Sequence, residues 1–330
     1  MDTFDLVTGG AGFIGSHLVD ELVRRGRHVR VLDNFSIGRR ANLKQHENSP
    51  AVEIVQGDIR DETLVDRVVA GAERIFHLAA LADIVPSIEA PDAYFKTNVD
   101  GTFALCQAAL KRKVRRFIYT ASSSCYGIPD KYPTPENTPA DPRYPYALTK
   151  YLGEQIVMHW QQVYDLPALS LRLFNVYGPR ARTSGTYGAV FGVFLAQYLA
   201  NKPLTIVGDG TQTRDFTYVS DVVAAFLTAA ESNLTGRIFN VGTGNGVSVN
   251  RIVEIIAPKA TTHIPKRPGE PDETRADVTA IQRELGWSAQ ISIENGIASL
   301  MKNLDYWKDA PVWDAASIES ATKNWFKYLK

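Results

Sequence analysis

Thr8-Gly9-Gly10-Ala11-Gly12-Phe13-Ile14-Gly15 joins a short apolar run, Phe4–Thr8, to an amphipathic stretch, Ser16–Arg25. Glycines at 9, 12 and 15 suit a strand-to-helix turn that brings backbone against a pyrophosphate. A Cβ at Gly9 or Gly12 would obstruct the turn or the phosphate, and Gly15 allows helix and strand to pack closely. The helix N-terminus that follows offers free N–H groups and a partial positive charge. A glycine pattern alone also marks ordinary turns; its place between a strand and a helix is what points to a dinucleotide.

Working outward, strand-like runs His28–Asp33, Val52–Gln56, Arg74–Leu78, Arg116–Thr120 and Ala168–Leu173 alternate with helix-like Thr63–Ala70, Asn98–Lys111 and Tyr146–Tyr164. This alternation predicts an α/β fold with a doubly wound parallel Rossmann sheet. After Asn175 the rhythm breaks. A Gly/Pro/Arg-rich loop over Tyr177–Thr186 precedes helical patterns at Ala189–Ala200 and Val219–Ser232, with short runs at Leu204–Val207 and Arg237–Val241. The expected division is a dinucleotide-binding domain over 1–174, joined by about 211–243. A smaller, partly interleaved C-terminal substrate lobe takes 175–210 and 244–330.

The 330 residues balance 36 Lys plus Arg against 36 Asp plus Glu, so no bulk field favours nucleic acid or an acidic membrane. An anionic ligand must be held by locally placed groups. Cys106 and Cys125 have neither metal-ligand spacing nor a disulfide framework, and no metal site is expected. The start lacks a basic, then apolar, leader and no window reaches membrane-spanning length, so the expected location is the cytoplasm.

Asp33 ends the second strand, where a carboxylate accepts hydrogen bonds from the adenosine ribose and repels a phosphate; this favours NAD over NADP. Arg39 and Arg40 nearby argue the other way. Asp58, ending the third strand, is placed to meet the adenine amino group or simply to form the turn after Gly57. Tyr146-Ala147-Leu148-Thr149-Lys150 puts a phenol and an ammonium on one helix face. The ammonium and an oxidised nicotinamide would both favour the phenolate and lower its pKa. Thr120-Ala121-Ser122-Ser123-Ser124-Cys125-Tyr126-Gly127 lies at the end of the fifth strand, where ligands bind in such sheets, and its hydroxyls suit a sugar and a proton relay.

These segments, with Asp33-Asn34, Gly57-Asp58-Ile59, His77-Leu78-Ala79-Ala80, Asn98-Val99-Asp100-Gly101-Thr102, Arg172–Arg180 and Gln212–Phe216, make the chain resemble the extended short-chain dehydrogenase/reductase family, and within it the UDP-hexose 4-epimerases. The resemblance implies NAD as cofactor, a sugar nucleotide as substrate and epimerisation at the sugar's 4-position through a transient 4-keto intermediate. Ser122, Tyr146 and Lys150 would be catalytic, Lys150 also holding the nicotinamide ribose. Gly9, Gly12, Phe13, Ile14, Gly15, Asp33, Asn34, Asp58, Ile59, Leu78, Ala79, Ala80 and Asn98 would bind or position the cofactor. Ser123, Ser124, Asn175, Arg182, Arg214, Arg267, Glu270 and Thr274 would face the substrate: Asn175, Arg214 and Arg267 at the diphosphate, Glu270 at a ribose, and Thr274 as a small wall of the sugar pocket.

Related dehydratases and decarboxylases carry acids in the serine row where this chain has Ser123 and Ser124, which favours epimerisation over elimination or reduction. A silent NAD sensor would typically lose Tyr146 or Lys150. Ala82 departs from the Lys of many 4-epimerases, and Cys125 is expected to pack. The small Thr274 leaves an N-acetylhexosamine and a hexuronate equally favoured, Arg182 supporting the latter. A homodimer is expected, formed by Asn98–Lys111 and Tyr146–Tyr164 through Cys106, Ala109, Leu152, Ile156 and Trp160.

Overall fold

The computed structural model describes residues 3–181 and 190–329. Its centre is a seven-stranded, all-parallel sheet. The strands β1 (Phe4–Thr8), β2 (Val29–Asp33), β3 (Val52–Gln56), β4 (Ala72–His77), β5 (Arg116–Ser122) and β6 (Ala168–Leu173) come from the first half of the chain. They are ordered β6-β5-β4-β1-β2-β3, and a strand from much later, Arg237–Val241, closes the β6 edge. The interior of β1 and all of β6 are buried, as expected where helices cover both faces of a parallel sheet.

On one face pack α1 (Phe13–Arg24) and the later helix Val219–Glu231, joining Leu18, Val19 and Leu22 to Val222, Val223 and Phe226. On the other lie α2 (Glu62–Val69), α5 (Gly101–Lys111) and α6 (Pro145–Tyr164), which bury Val65, Val69, Leu105 and Val157 against β4 and β5. Each such side chain contributes roughly 1.5–3 kcal/mol relative to exposure. Asp61 starts α2 by accepting a hydrogen bond from the Leu64 N–H, and Pro145 starts α6 without an amide donor to lose.

Two short helices between β4 and α5 escaped the sequence reading: α3 (Ile84–Glu89) and α4 (Pro91–Phe95). Five or six residues are too few to express a helical period. The helix expected from Asn98 begins instead with a π-turn over Lys96–Asp100, a device that reorients a side chain within a helix. β4 ends at His77, so Leu78 belongs to the loop above the strand.

A second cluster lies beyond the carboxyl ends of the strands. Phe191, Phe194, Leu204, Ile206, Ile252, Ile297, Leu300 and Trp307 are among its buried residues. Its strand Leu204–Val207 pairs in parallel with Thr261–Ile264. Short parallel pairing of Asn175–Tyr177 with Phe216–Tyr218 ties this part to the end of β6. Helix Ala315–Tyr328 then returns to pack against α3. No described helix is long and apolar enough to cross a membrane.

Candidate active site

A cleft of about 560 Å³ opens above the carboxyl ends of β1, β2 and β4. Gly9, Gly12, Phe13, Ile14, Gly15, Asp33, Asn34, Asp58, Ile59, Leu78, Ala79 and Ala80 all line it. Gly9 has φ +70°, and a Cβ there would stand 2.7 Å from the Ala79 amide nitrogen. One at Gly15 would collide with the Gly9 carbonyl. Gly12 caps α1 without a side chain, leaving the amides of its first turn facing the cleft.

The Asp33 carboxylate is buried and accepts hydrogen bonds from the amides of Ala11 (2.9 Å) and Phe35 (2.8 Å). Burial raises its pKa, and those two amides oppose the rise. A carboxylate has about four acceptor positions, so it can still receive ribose hydroxyls. Arg40 lies over the Phe35 ring and donates to Gln56, while Arg39 lies over Tyr306. Asp58 is clasped by Arg60, accepts from Asn34 (2.8 Å) and is held below the usual carboxylate range, mainly by Arg60.

Asn98 does not line the cleft. It is 1% exposed, accepts from the Leu81 amide (2.8 Å) and donates to the Leu81 carbonyl and the Thr149 hydroxyl. The side chain thereby fixes the loop after β4 to α6. His77, not singled out from sequence, supports the same loop. Thr102 donates to the Asn98 carbonyl and so accepts from His77 Nε2–H, while Thr8, which accepts from the Ala79 amide, donates to Nδ1. Burial, then the Lys150 charge, keep this imidazole neutral.

At the end of β5 the Ser122 hydroxyl accepts from the Ser124 hydroxyl (2.9 Å) and amide (3.2 Å). Tyr146 is half-buried, and the Ser122 hydroxyl favours its ionised form. Its ring lies parallel to that of Tyr144, with centroids 6.4 Å apart. Burial raises the phenol's pKa and outweighs the Ser122 hydroxyl, with Asp83 adding to the rise. The expectation that Lys150 depresses it is therefore corrected for the ligand-free chain. Lys150 is itself buried, with Nζ 4.4 Å from the centre of the Tyr119 ring, and burial pushes its own pKa down to about 7 against the pull of Glu154.

Glu154, one turn beyond Lys150, is clamped by Arg172 (2.6 Å) and Ser170 (2.8 Å). Arg172 also donates to Tyr126, so β6, α6 and the serine loop form one buried network. Cys125 is buried, and burial pushes its thiol up to about 12, consistent with packing.

The expected substrate residues gather from distant segments. Arg214 lines a smaller recess of about 270 Å³ with Glu270, Val207, Gln212 and Lys266. Arg267 pairs with Glu270 (3.2 Å) and lies over the Trp325 ring, whose indole N–H donates to the Pro268 carbonyl. Thr274 is a structural residue as well as a small one: its hydroxyl donates to Asn175 (3.1 Å) and accepts from the Asp215 amide. Tyr144, missed from sequence, is acted on by Ser124, Glu270 and Arg214, so it stands between the two groups of residues. Arg182 lies outside the described residues.

The model of the NAD dependent epimerase/dehydratase family matches residues 6–242. A UDP-glucose 4-epimerase of Mycolicibacterium smegmatis is 40% identical over 304 residues, spanning 90% of this chain and 97% of that one. UDP-glucuronic acid decarboxylase 4 of Arabidopsis thaliana is 34% identical over 308 residues, spanning 90% of this chain and 68% of that one. Among solved structures, the UDP-glucose 4-epimerase of Thermotoga maritima with UDP-glucose superposes with TM-score 0.86 at 35% identity, covering 93% of this chain and 99% of that one. The UDP-glucuronic acid 4-epimerase of Bacillus cereus, in complex with UDP-glucuronic acid and NAD, gives 0.85 at 32% identity with the same coverage.

Proposed function

Because the chain belongs to the NAD-dependent epimerase/dehydratase family, whose members are enzymes acting mostly as epimerases, we propose that it inverts the 4-position of a nucleotide-diphosphate sugar through a transient 4-keto sugar. The observation that carries this reading is a serine row at the end of β5, with Ser122 acting on the Tyr146 phenol and hydroxyls instead of acids at 123 and 124. Elimination of water needs an acid and a base at the neighbouring carbons; these hydroxyls supply neither at neutral pH.

Tyr146 takes the proton of the 4-hydroxyl, with Ser122 passing it, and returns it after the keto sugar has turned over. Bound NAD supplies the acceptance and return of the hydride and so leaves the cycle unchanged. Burial raises the pKa of Tyr146, so its work as a base needs a positive charge close by, which an oxidised nicotinamide held by Lys150 would supply. Lys150 holds the nicotinamide ribose, and Asp33 receives the adenosine ribose.

In the other lobe Arg214 and Arg267 clamp the diphosphate, Glu270 meets a ribose, and Asn175 with Thr274 borders the sugar. Arg267 and Glu270 pair with each other (3.2 Å). A UDP-hexose, UDP-N-acetylhexosamine or UDP-hexuronate fits this clamp. Nuclear magnetic resonance of products from a panel of sugar nucleotides tests the reading. Accumulation of a 4-keto-6-deoxy or decarboxylated sugar in place of the 4-epimer overturns it.

A homodimer through α5 and α6 belongs to the same proposal, with one correction to its contacts. Cys106 and Ala109 are fully buried within the subunit, because α5 turns them onto the sheet, so they cannot reach a partner. The large apolar groups these helices leave exposed are Phe103, Leu148, Val163 and Tyr164, beside the half-buried Trp160. Leu148→Asp should convert a dimer to a monomer in light scattering; a wild-type chain that is already monomeric refutes this assembly.

A further inference from the structure

One side of the recess that holds Arg214 is a single irregular loop: Lys266, Glu270, Pro271 and Asp272 all line it. Ordering such a loop costs conformational entropy. Lys266 pairs with Asp272 across its ends, but both side chains are exposed, and an exposed pair holds a loop only weakly. A firmer hold comes from a helix later in the chain.

The helix Ala315–Tyr328 is started by Asp314, which accepts from the Ser317 amide (2.8 Å), and it buries Ile318, Thr322 and Trp325 along one face. It packs on α3, where Trp325 joins Val85 and Leu329 in a buried cluster. From there the indole N–H donates to the Pro268 carbonyl (2.8 Å), and the ring centre lies 5.3 Å from the Arg267 guanidinium. Gly269 turns the loop at φ +73°, and a Cβ there would touch Leu329. A guanidinium over an aromatic face still points its N–H donors outward in its own plane, and Arg267 directs one to Glu270 (3.2 Å). Arg214 feels the charges of both Glu270 and Arg267.

We propose that Trp325 is a positioning residue of the nucleotide-diphosphate site: it fixes residues 266–272 in the shape that presents Glu270 and Arg267 beside Arg214. The proposal rests on the sugar-nucleotide reading and adds to it a dependence on the helix Ala315–Tyr328. Trp325 acts through the loop, so what it contributes to binding is ordering already done before the ligand arrives.

Titration calorimetry with UDP on the NAD-loaded chain tests it. Trp325→Phe keeps an aromatic face and loses the donor to Pro268, so UDP affinity should fall about fivefold. Trp325→Leu loses face and donor together, and the fall should reach about twentyfold. NAD affinity should stay within about twofold of the wild type in both variants, since the loop lies outside the dinucleotide cleft. Ile318→Ala, about two turns before Trp325, removes buried surface from the same helix and none of the Trp325 contacts. It should lower the melting temperature and leave UDP affinity within about twofold. Should Trp325→Leu fail to fold, Trp325→Phe set against Ile318→Ala decides the matter. UDP affinity unchanged within about twofold in Trp325→Phe, an equal loss in Ile318→Ala, or a parallel loss of NAD overturns the positioning role. A wild type that binds no UDP overturns the sugar-nucleotide reading instead.

Discussion

The large cleft and the residues around the smaller recess hold their charges in different ways. In the cleft, Asp33 sits at a strand end and is fixed by two backbone amides, Ala11 and Phe35. At the recess, Glu270 pairs with Arg267, and nearby in sequence Thr274 is hydrogen-bonded to Asn175, 99 positions away. The first region is held by backbone and the second by side chains that bond to one another. A pre-organised site loses little on binding, while a self-paired one must break contacts before it gains any.

The largest effect should come from the junction of the two regions. Tyr146→Phe removes the proposed base and should lower turnover about a thousandfold while NAD and UDP still bind. Near-normal turnover would take Tyr146 out of the mechanism and leave the two regions without a shared centre. Next, Arg214→Ala should weaken UDP about 10- to 100-fold, the cost of losing a charge-assisted contact, with no change in NAD content. A matching loss of NAD would show that the regions are not independent.

Asp33→Asn presents an amide donor where a backbone N–H needs an acceptor. NAD affinity should fall about tenfold and the preference over NADP should narrow. An unchanged ratio of the two cofactors argues against a ribose contact at Asp33. Thr274→Tyr should reduce activity on UDP-N-acetylglucosamine more than on UDP-glucose, by a few fold. Equal loss on both would mean that its hydrogen bonds to Asn175 and Asp215 matter and its size does not.

The smallest effect is a pH dependence of stability. Folded Lys150 titrates at about 7 and the unfolded residue near its ordinary 10.5, because burial opposes the charge more than Glu154 favours it. Between those values the unfolded chain binds the additional proton, so unfolding free energy rises with pH. The urea midpoint of the NAD-free chain should therefore shift upward between pH 7 and 9, more than that of Lys150→Met. Identical shifts would place the coupling elsewhere.

Much of the cleft was legible because its signals are local. Strand, glycine turn and helix follow one another over Phe4–Arg24, and Tyr146 and Lys150 lie one turn apart on α6. The parallel sheet followed from strand–helix alternation, while the order of its strands came only from the structure. Helices α3 and α4 were invisible because so few residues carry no period. The apolar faces of α5 were misassigned because a buried side chain and an interface side chain have the same composition; only packing against β4 and β5 distinguishes Cys106 from Phe103.

By itself, the sequence determined the family, the parallel sheet and the chemical groups available for hydride and proton transfer. These depend on residue type and short spacing, which the chain carries from point to point. Only the tertiary structure decided that Tyr146 is raised in pKa, that Asn98 positions a loop and that Thr274 binds Asn175. Each of these depends on burial and on neighbours far away in sequence. Desolvation and partner geometry are sums over the whole surroundings of a group, and no short stretch of chain contains those surroundings.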